Sequence, residues 1–320
     1  MIDLGPITGP NSSFSKALPG LQTAVDSTSL GVFKTCPRKY YYSIIMGYRL
    51  HTESVHLTFG IWMHQGVESY ARLRLQGQSH DDCVAEIVHQ VLKWTWNSEL
   101  KRPWISDHKN KNRLTLVRTL VWYLDHHKDD PLQTITLASG RPAVELSFSF
   151  DSGFKTLTTD EPILFCGHLD RMVNLNGLPY IVDLKTTEHT ISPSFFAKFT
   201  PDNQFSMYTL AGRVAFGIPV QAIIVDAAQV AVGFSTFDRH LVQRDESTVA
   251  EWQRDTRQWL EQMEYCATQE QWPMNDKSCH QYGGCEFREI CSKAPGSRQL
   301  WLDKEYKRSM WDPLIRRGDI

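Results

Sequence analysis

Two apolar stretches, Ile163–Val173 and Leu178–Leu184, flank Asn176-Gly177, a dipeptide that accepts the positive φ angles a tight hairpin turn demands. A turn so placed pairs the two strands antiparallel. Because strand side chains alternate with period two, it also decides which residues share a face. Upstream, Val144, Leu146, Phe148 and Phe150 alternate with Glu145, Ser147 and Ser149, the pattern of a strand with one buried face. Downstream, Ala222–Ala227 is apolar on both faces, as in a strand covered from two sides. Elsewhere the period changes to three and four. Val84, Ile87, Val88, Val91 and Leu92 form one such stripe, and Leu114, Val117, Val121 and Leu124 form another. Helices are also expected at about Asp202–Phe216 and Ser247–Ala267, the latter carrying Val249, Trp252, Trp259 and Met263 on one side. Helices around a mixed sheet make an α/β domain, with a helical elaboration at about residues 80–130.

The 320 residues are 41% apolar, which is enough for a substantial core and excludes general disorder. Residues 1–26 are the exception, because their Gly, Pro and Ser content without apolar periodicity reads as a flexible arm. Charge is balanced, 34 basic against 36 acidic, so any polyanion must be captured by local patches. No segment is apolar enough to span a bilayer and no secretory signal is evident, so the expectation is a soluble intracellular protein, cytoplasmic or nucleoid-associated. Seven cysteines, an odd number, suit a reducing compartment and direct attention to metal or cluster ligation.

Asp183-Leu184-Lys185 ends the apolar strand Tyr180-Ile181-Val182, so Asp183 and Lys185 share a face. Hairpin pairing brings Asp170, on the neighbouring strand, within reach of Asp183. Two hard oxygen ligands suit Mg²⁺ or Mn²⁺. Taken alone, a strand-end D-x-K is more often an exposed ion pair, by roughly three to one. Two further pairs have one-turn helical spacing, His64 with Glu68 and Gln204 with Tyr208. The first offers an imidazole to a metal; the second offers hydrogen bonds to substrate or to Lys185. Each is an ordinary helix face when read in isolation.

Taken in order, Cys36-Pro37-Arg38-Lys39-Tyr40, Phe59-Gly60 with His64 and Glu68, Gly167-His168-Leu169-Asp170-Arg171, Val182-Asp183-Leu184-Lys185-Thr186, then Gln204 and Tyr208, resemble the RecB-like branch of the PD-(D/E)XK nuclease superfamily. The resemblance runs over residues 27–292 and implies a restriction-endonuclease-like core. It also implies a metal site of His64, Asp170, Asp183 and the Leu184 carbonyl, with Lys185 beside the attacking water and Glu68 behind the ligands. Where this chain has Asp183, the family often has Glu; the charge and ligand type are kept.

Cys279, Cys285 and Cys291 are separated by five residues each, and Cys36 lies far upstream. Four thiolates suit a [4Fe–4S] cluster, and spacing alone does not exclude zinc. The chain resembles the subset of RecB-like enzymes with such a cluster, which includes AddB-type nuclease domains, CRISPR-associated adaptation nucleases and exonuclease V-like enzymes. A cluster joining Cys36 to Cys279 closes a long loop, a constraint on the order of 5 kcal/mol by analogy with cross-links. Cys83, Cys166 and Cys266 sit in apolar contexts and read as buried small hydrophobes.

Basic residues interleaved with aromatics at Arg38–Tyr42, Lys101–Trp104 and Lys109–Arg113, with Arg72 and Arg74, are candidate DNA contacts. Arg38, Lys39 and Tyr40 are the foremost of them. Residues 293–320 form a basic and aromatic tail. The reading is a Mg²⁺- or Mn²⁺-dependent deoxyribonuclease acting on single strands or duplex ends in recombination, repair or CRISPR adaptation. No G-x-x-x-x-G-K-[ST] loop is present, so unwinding would fall to a partner helicase. The alternative is a catalytically silent DNA-binding scaffold. Retention of Asp170, Asp183 and Lys185 speaks against it, because clustered carboxylates are costly to keep without use.

Overall fold

The structure is a computed structural model that describes residues 13–52 and 54–315. In chain order the principal elements are strand β1 (Ala24–Val25), helix α1 (Ser27–Thr35), helices α2 (Val55–Leu75), α3 (His80–Trp94) and α4 (Arg113–His126), and strands β2 (Val144–Lys155), β3 (Pro162–Leu175) and β4 (Leu178–Thr187). Helix α5 (Asn203–Val214), strands β5 (Ala222–Val230) and β6 (Ser235–Val242) and helix α6 (Glu246–Thr268) follow. The described residues divide into two compact units, one drawn from the segments up to Thr52, Ser147–Gly167 and from Asp245 onward, the other from the segment ending at Leu146 and His168–Arg244.

The second unit carries a mixed sheet. The end of β3 pairs antiparallel with β4, in a register running from Leu175↔Leu178 to Arg171↔Val182. Asn176 and Gly177 turn the hairpin at φ 53° and 83°, the positive values anticipated for that dipeptide. β4 pairs parallel with β5, and β5 antiparallel with β6. Every residue of β5 is buried, because helices cover both faces. On one face Leu184, Ala228 and Val230 pack against Phe59 and Met63 of α2, Ile87 and Val91 of α3, and Leu116 and Leu120 of α4. On the other, α5 lies against β4 and β5, its first turn capped by the Asp202 side chain.

An ionic network is buried in this unit. Asp226 of β5 is 0% exposed and accepts hydrogen bonds from the Tyr123 hydroxyl at 2.7 Å and Arg239 Nε at 2.8 Å. The Arg239 guanidinium also grips both oxygens of Asp130, at 2.9 and 2.7 Å. Removing one partner of a buried pair strands the other without solvent. Asp226→Ala is therefore expected to lower stability by about 3–5 kcal/mol, measured by urea unfolding.

In the first unit, α1 and α6 enclose Phe14, Leu21, Phe33, Tyr40, Ile44, Met263 and Trp272. Residues 1–12 of the expected flexible arm lie outside the described residues. From Ser13 onward the chain is packed: Phe14 and Leu21 are buried, and β1 pairs parallel with the start of β3. Gly and Pro content concealed two apolar anchors. The start of the expected tail is likewise built in, since Tyr306–Arg308 pairs antiparallel with Tyr48–Leu50 and Leu302 and Tyr306 are buried. Residues 316–320 of that tail are not among those described. Among the described residues no helix is long and apolar enough to cross a membrane.

Candidate active site

The hairpin and the parallel β4–β5 pairing fix the strand that carries Asp183 and Lys185, placing them opposite Val225 and Ala227. Asp183 is 1% exposed, and burial pushes its carboxyl up to about 6, with Lys185 pulling it down and Asp170 pushing it further up. Its Oδ2 lies 2.7 Å from Lys185 Nζ as an ion pair and, among the described residues, meets no further hydrogen-bond donor. Burial also works against the Lys185 charge, but Asp183 and then Asp170 outweigh it and raise the amine, so it stays protonated. Lys185 Nζ donates to Gln204 Oε1 at 2.8 Å, and Gln204 Nε2 donates to the Tyr208 hydroxyl at 2.8 Å. The two residues of α5 thus form a brace for the lysine, one helical turn apart.

From α2, His64 Nδ1 approaches Asp170 Oδ2 at 3.1 Å, and the same oxygen accepts the Leu184 N–H at 2.9 Å. Burial opposes the imidazolium, yet Asp170 drives His64 up to about 9. Burial likewise raises the Asp170 carboxyl, but His64, Lys185 and the Leu184 N–H hold it below the usual carboxylate range. One turn further along α2, burial and Glu145 push Glu68 up to about 9, so Glu68 carries a proton at neutral pH. Glu145 was not anticipated as a site residue. Alternation in its strand reads as solvent-facing, whereas its backbone takes φ 50°, a left-handed value that costs a non-glycine residue about 1–2 kcal/mol.

A cavity of about 20 Å³ is lined by His64, Glu68, Asp170, Arg171 and Leu184, with Tyr123 and three valines completing the wall. That is room for one water or one ion. Two ligands held at about 2.1 Å by an octahedral ion, at right angles to each other, stand about 3 Å apart, which the His64–Asp170 spacing of 3.1 Å matches. The expected three-way convergence is incomplete. Among the described residues, His64, Asp170 and Asp183 do not all close to within 4.8 Å of one another. The reason is pairing: Asp170 faces His64, while Asp183 faces Lys185.

The trio that does meet that spacing is His56, His108 and Glu188. Glu188 Oε1 lies 3.4 Å from His56 Nδ1 and 3.5 Å from His108 Nε2. Hydrogen bonding argues against a metal here. His108 Nδ1 accepts the backbone N–H groups of Asn110 and Lys111, at 3.3 and 3.1 Å, which assigns the neutral ring's proton to Nε2 and leaves no lone pair there for an ion.

Of the expected DNA contacts Arg38, Lys39 and Tyr40, the tyrosine needs correction. Tyr40 is 0% exposed, its hydroxyl bonded to Gln22 and its ring packed on Phe33 and Trp272, so no nucleic acid reaches it. Arg38 Nε donates to the Trp272 carbonyl at 3.1 Å, and Lys39 faces Glu286 at 3.9 Å. Arg38 and Lys39 stay half-buried at the surface, so of the three only Tyr40 is withdrawn from solvent. Lys111 is buried over the Phe59 ring, and Arg113 pins the Thr95 hydroxyl and the Leu92 carbonyl.

In the first unit the four selected cysteines come together. The Asn275 N–H donates to Cys36 Sγ at 3.4 Å, Cys279 Sγ donates to the Asn275 carbonyl at 3.7 Å, and the Cys285 N–H donates to the Cys279 carbonyl at 2.9 Å. Burial raises the Cys279 thiol, and the neighbouring Cys285 and Cys36 raise it further. Burial also raises Cys291, with Arg38 opposing and Cys285 and Cys36 reinforcing. Cys83, Cys166 and Cys266 are buried and stand apart from this group as small core residues.

The chain matches the PD-(D/E)XK nuclease superfamily over residues 27–292 and belongs to it. No curated protein sequence matches the chain. Among solved structures it is similar to a candidate exonuclease from Eubacterium rectale, at 12% identity and a TM-score of 0.48, covering 86% of this chain and 92% of that one. It is also similar to SSO0001, at 11% identity and a TM-score of 0.33, covering 85% and 87%. At these values neither likeness assigns an activity.

Proposed function

We propose that the protein is a divalent-metal-dependent deoxyribonuclease of the RecB-like branch, hydrolysing phosphodiesters of single strands or duplex ends. The observation that supports this most is the pairing of buried Asp183 with half-buried Lys185, braced by Gln204 and accompanied by a second, half-buried carboxylate, Asp170. A carboxylate buried as deeply as Asp183 costs folding energy, as the upward push on it indicates, and a fold keeps such a cost where chemistry uses it. Asp170, Asp183, His64 and the Leu184 carbonyl are the donors for Mg²⁺ or Mn²⁺, and their hard character suits either ion. When bound, the ion supplies Lewis-acid polarisation of the phosphate and acidifies water.

The residues of the chain do the remainder. Lys185, charged and braced, stabilises negative charge growing on the phosphate oxygens and orients the attacking water. Gln204 and Tyr208 hold the lysine in place, so it need not reorganise during reaction. Protonated Glu68 closes the back of the cavity without adding charge of its own. Lys185→Met is expected to reduce turnover by about 10²–10³-fold, the scale of losing one preorganised stabilising group.

In the other unit, Cys36, Cys279, Cys285 and Cys291 form a donor set for a [4Fe–4S] cluster. Their proximity fits it: burial, with Cys285 and Cys36 nearby, raises the Cys279 and Cys291 thiols, a cost relieved when a cationic iron core takes their protons' place, and Arg38 and Arg298 lie close enough to balance the anionic product. Its role is structural, tying Cys36 to the later cysteines. Recombination, repair or CRISPR adaptation, with a helicase as partner, is the setting this class of enzyme fits. The testing experiment is digestion of single strands labelled at either end. Product is expected with Mg²⁺ or Mn²⁺ and none with EDTA; no cleavage with either ion would overturn the proposal.

A further inference from the structure

Arg171 directly follows Asp170 in β3, so its side chain leaves the strand on the opposite face. There it forms a wall between two spaces. With Val67 and Tyr123 it lines the small cavity of the carboxylate site, and with the same two residues it lines a second pocket of about 220 Å³. At about 30 Å³ per liquid water, the second space has room for roughly seven waters, or for one small solute. Its lining is basic. Arg74 of α2, Lys128 just beyond α4 and Arg239 of β6 join Arg171, and Asp130 supplies the one carboxylate among the described lining residues. Arg239 is fully engaged, since its guanidinium spans Asp130 and Asp226. Arg171 is not. Its side chain is 17% exposed and meets Asp130 only as an ion pair at 3.9 Å, beyond hydrogen-bond reach, so its five N–H donors have no close acceptor there. His127 adds a second unsatisfied group. It is 13% exposed, and its buried Nε2 has no hydrogen-bond partner among the described residues, with Asp226 Oδ1 standing off at 3.8 Å. A basic lining repels cations, and unused donors call for an acceptor.

Charge specifies the ligand. The four cations face Asp130 and, behind Arg239, Asp226, which leaves a surplus of two positive charges. A phosphate monoester carries about −1.5 to −2 near neutrality, where a carboxylate carries one, and the guanidinium fork matches two phosphate oxygens. We propose that this pocket binds a phosphate monoester, with Arg171 as its principal contact and the exposed Arg74 and Lys128 at its mouth. Two sources offer that chemistry, inorganic phosphate and a nucleoside monophosphate. Hydrolysis of a phosphodiester leaves one product end as such a monoester, so the pocket suits what the neighbouring cavity releases. That link rests on the nuclease reading above; the binding itself does not.

The test is calorimetric titration of the full chain with inorganic phosphate, thymidine 5′-monophosphate and thymidine, in EDTA so that no divalent ion bridges anion to protein. Saturable binding of both phosphates and none of thymidine is expected. Equal affinities assign the pocket to free phosphate, and tighter binding of the nucleotide assigns it to a product nucleotide. Arg171→Gln is expected to weaken phosphate binding at least about tenfold, the scale of one lost charge-assisted hydrogen bond. Because Arg171 is largely withdrawn from solvent, Arg74→Gln combined with Lys128→Gln, both at exposed positions, gives an independent reading and should weaken it about threefold or more. Three results overturn the assignment: no saturable phosphate binding, thymidine binding as tightly as its monophosphate, or phosphate affinity unchanged in both variants. A protein that binds phosphate but never cuts DNA sinks the nuclease reading alone. One that cuts without binding phosphate in EDTA sinks this inference alone.

Discussion

Asp183→Asn is expected to lower the rate of phosphodiester cleavage by on the order of 10³-fold while leaving the protein folded. Lewis-acid stabilisation is worth several kcal/mol, and each 1.36 kcal/mol is a factor of ten. Two effects on stability oppose each other. The substitution relieves the cost of a buried carboxylate whose folded-state pKa is raised to about 6, and it takes from Lys185 its ion-pair partner. The sign of the first effect follows from linkage. The unfolded carboxyl ionises more readily than the folded one, so ionised Asp183 weakens the fold as pH rises through about 6, and asparagine removes that weakening. Lys185 keeps Gln204 as an acceptor, so the net change in stability is small. Single-turnover digestion with urea unfolding on the same preparation checks both halves. A folded variant that cuts at the wild-type rate would remove Asp183 from the chemistry.

The second large effect belongs to the cysteines. Cys291→Ser is expected to abolish visible charge-transfer absorption and to lower unfolding free energy by about 3–5 kcal/mol, the scale of a cross-link closing a long loop. Anaerobic purification followed by absorption spectroscopy, metal analysis and urea titration reads the outcome. A colourless wild-type protein holding one zinc per chain would replace the cluster by a zinc site. Loss at Cys83 should not mimic this, because that thiol is buried apart from the four and acts through packing alone.

How much of this was legible in the sequence depended on whether a local rule decided the geometry. Asn176-Gly177 fixed the hairpin because few other dipeptides accept two positive φ angles, and from it followed the placement of Asp170 beside the strand of Asp183. The one-turn spacing of Gln204 and Tyr208 suggested a hold on Lys185, which Gln204 makes directly; the Gln204–Tyr208 hydrogen bond behind it was not anticipated. The long helix α6 matched its expected span to within about a residue at each end, since its apolar stripe is strong.

Where tertiary packing decided, local reading failed. Tyr40 sits in a basic and aromatic run that resembles a nucleic-acid patch, yet the helix turns its ring into the core against Phe33 and Trp272. Glu145 reads as a solvent-side residue of an alternating strand, and only a left-handed backbone reveals that it meets Glu68. Phe14 and Leu21 were masked by Gly, Pro and Ser around them. His56, His108 and Glu188 are brought together by three separate segments that share no sequence signal.

Calorimetric titration of Mn²⁺ into the wild-type protein, Asp170→Asn and Asp183→Asn tests the central claim most directly. A saturable site in the wild type that is weakened at least about tenfold in both variants is the predicted result. Undiminished Mn²⁺ binding in both variants, or cleavage of DNA by the wild type in the presence of excess EDTA, would contradict it.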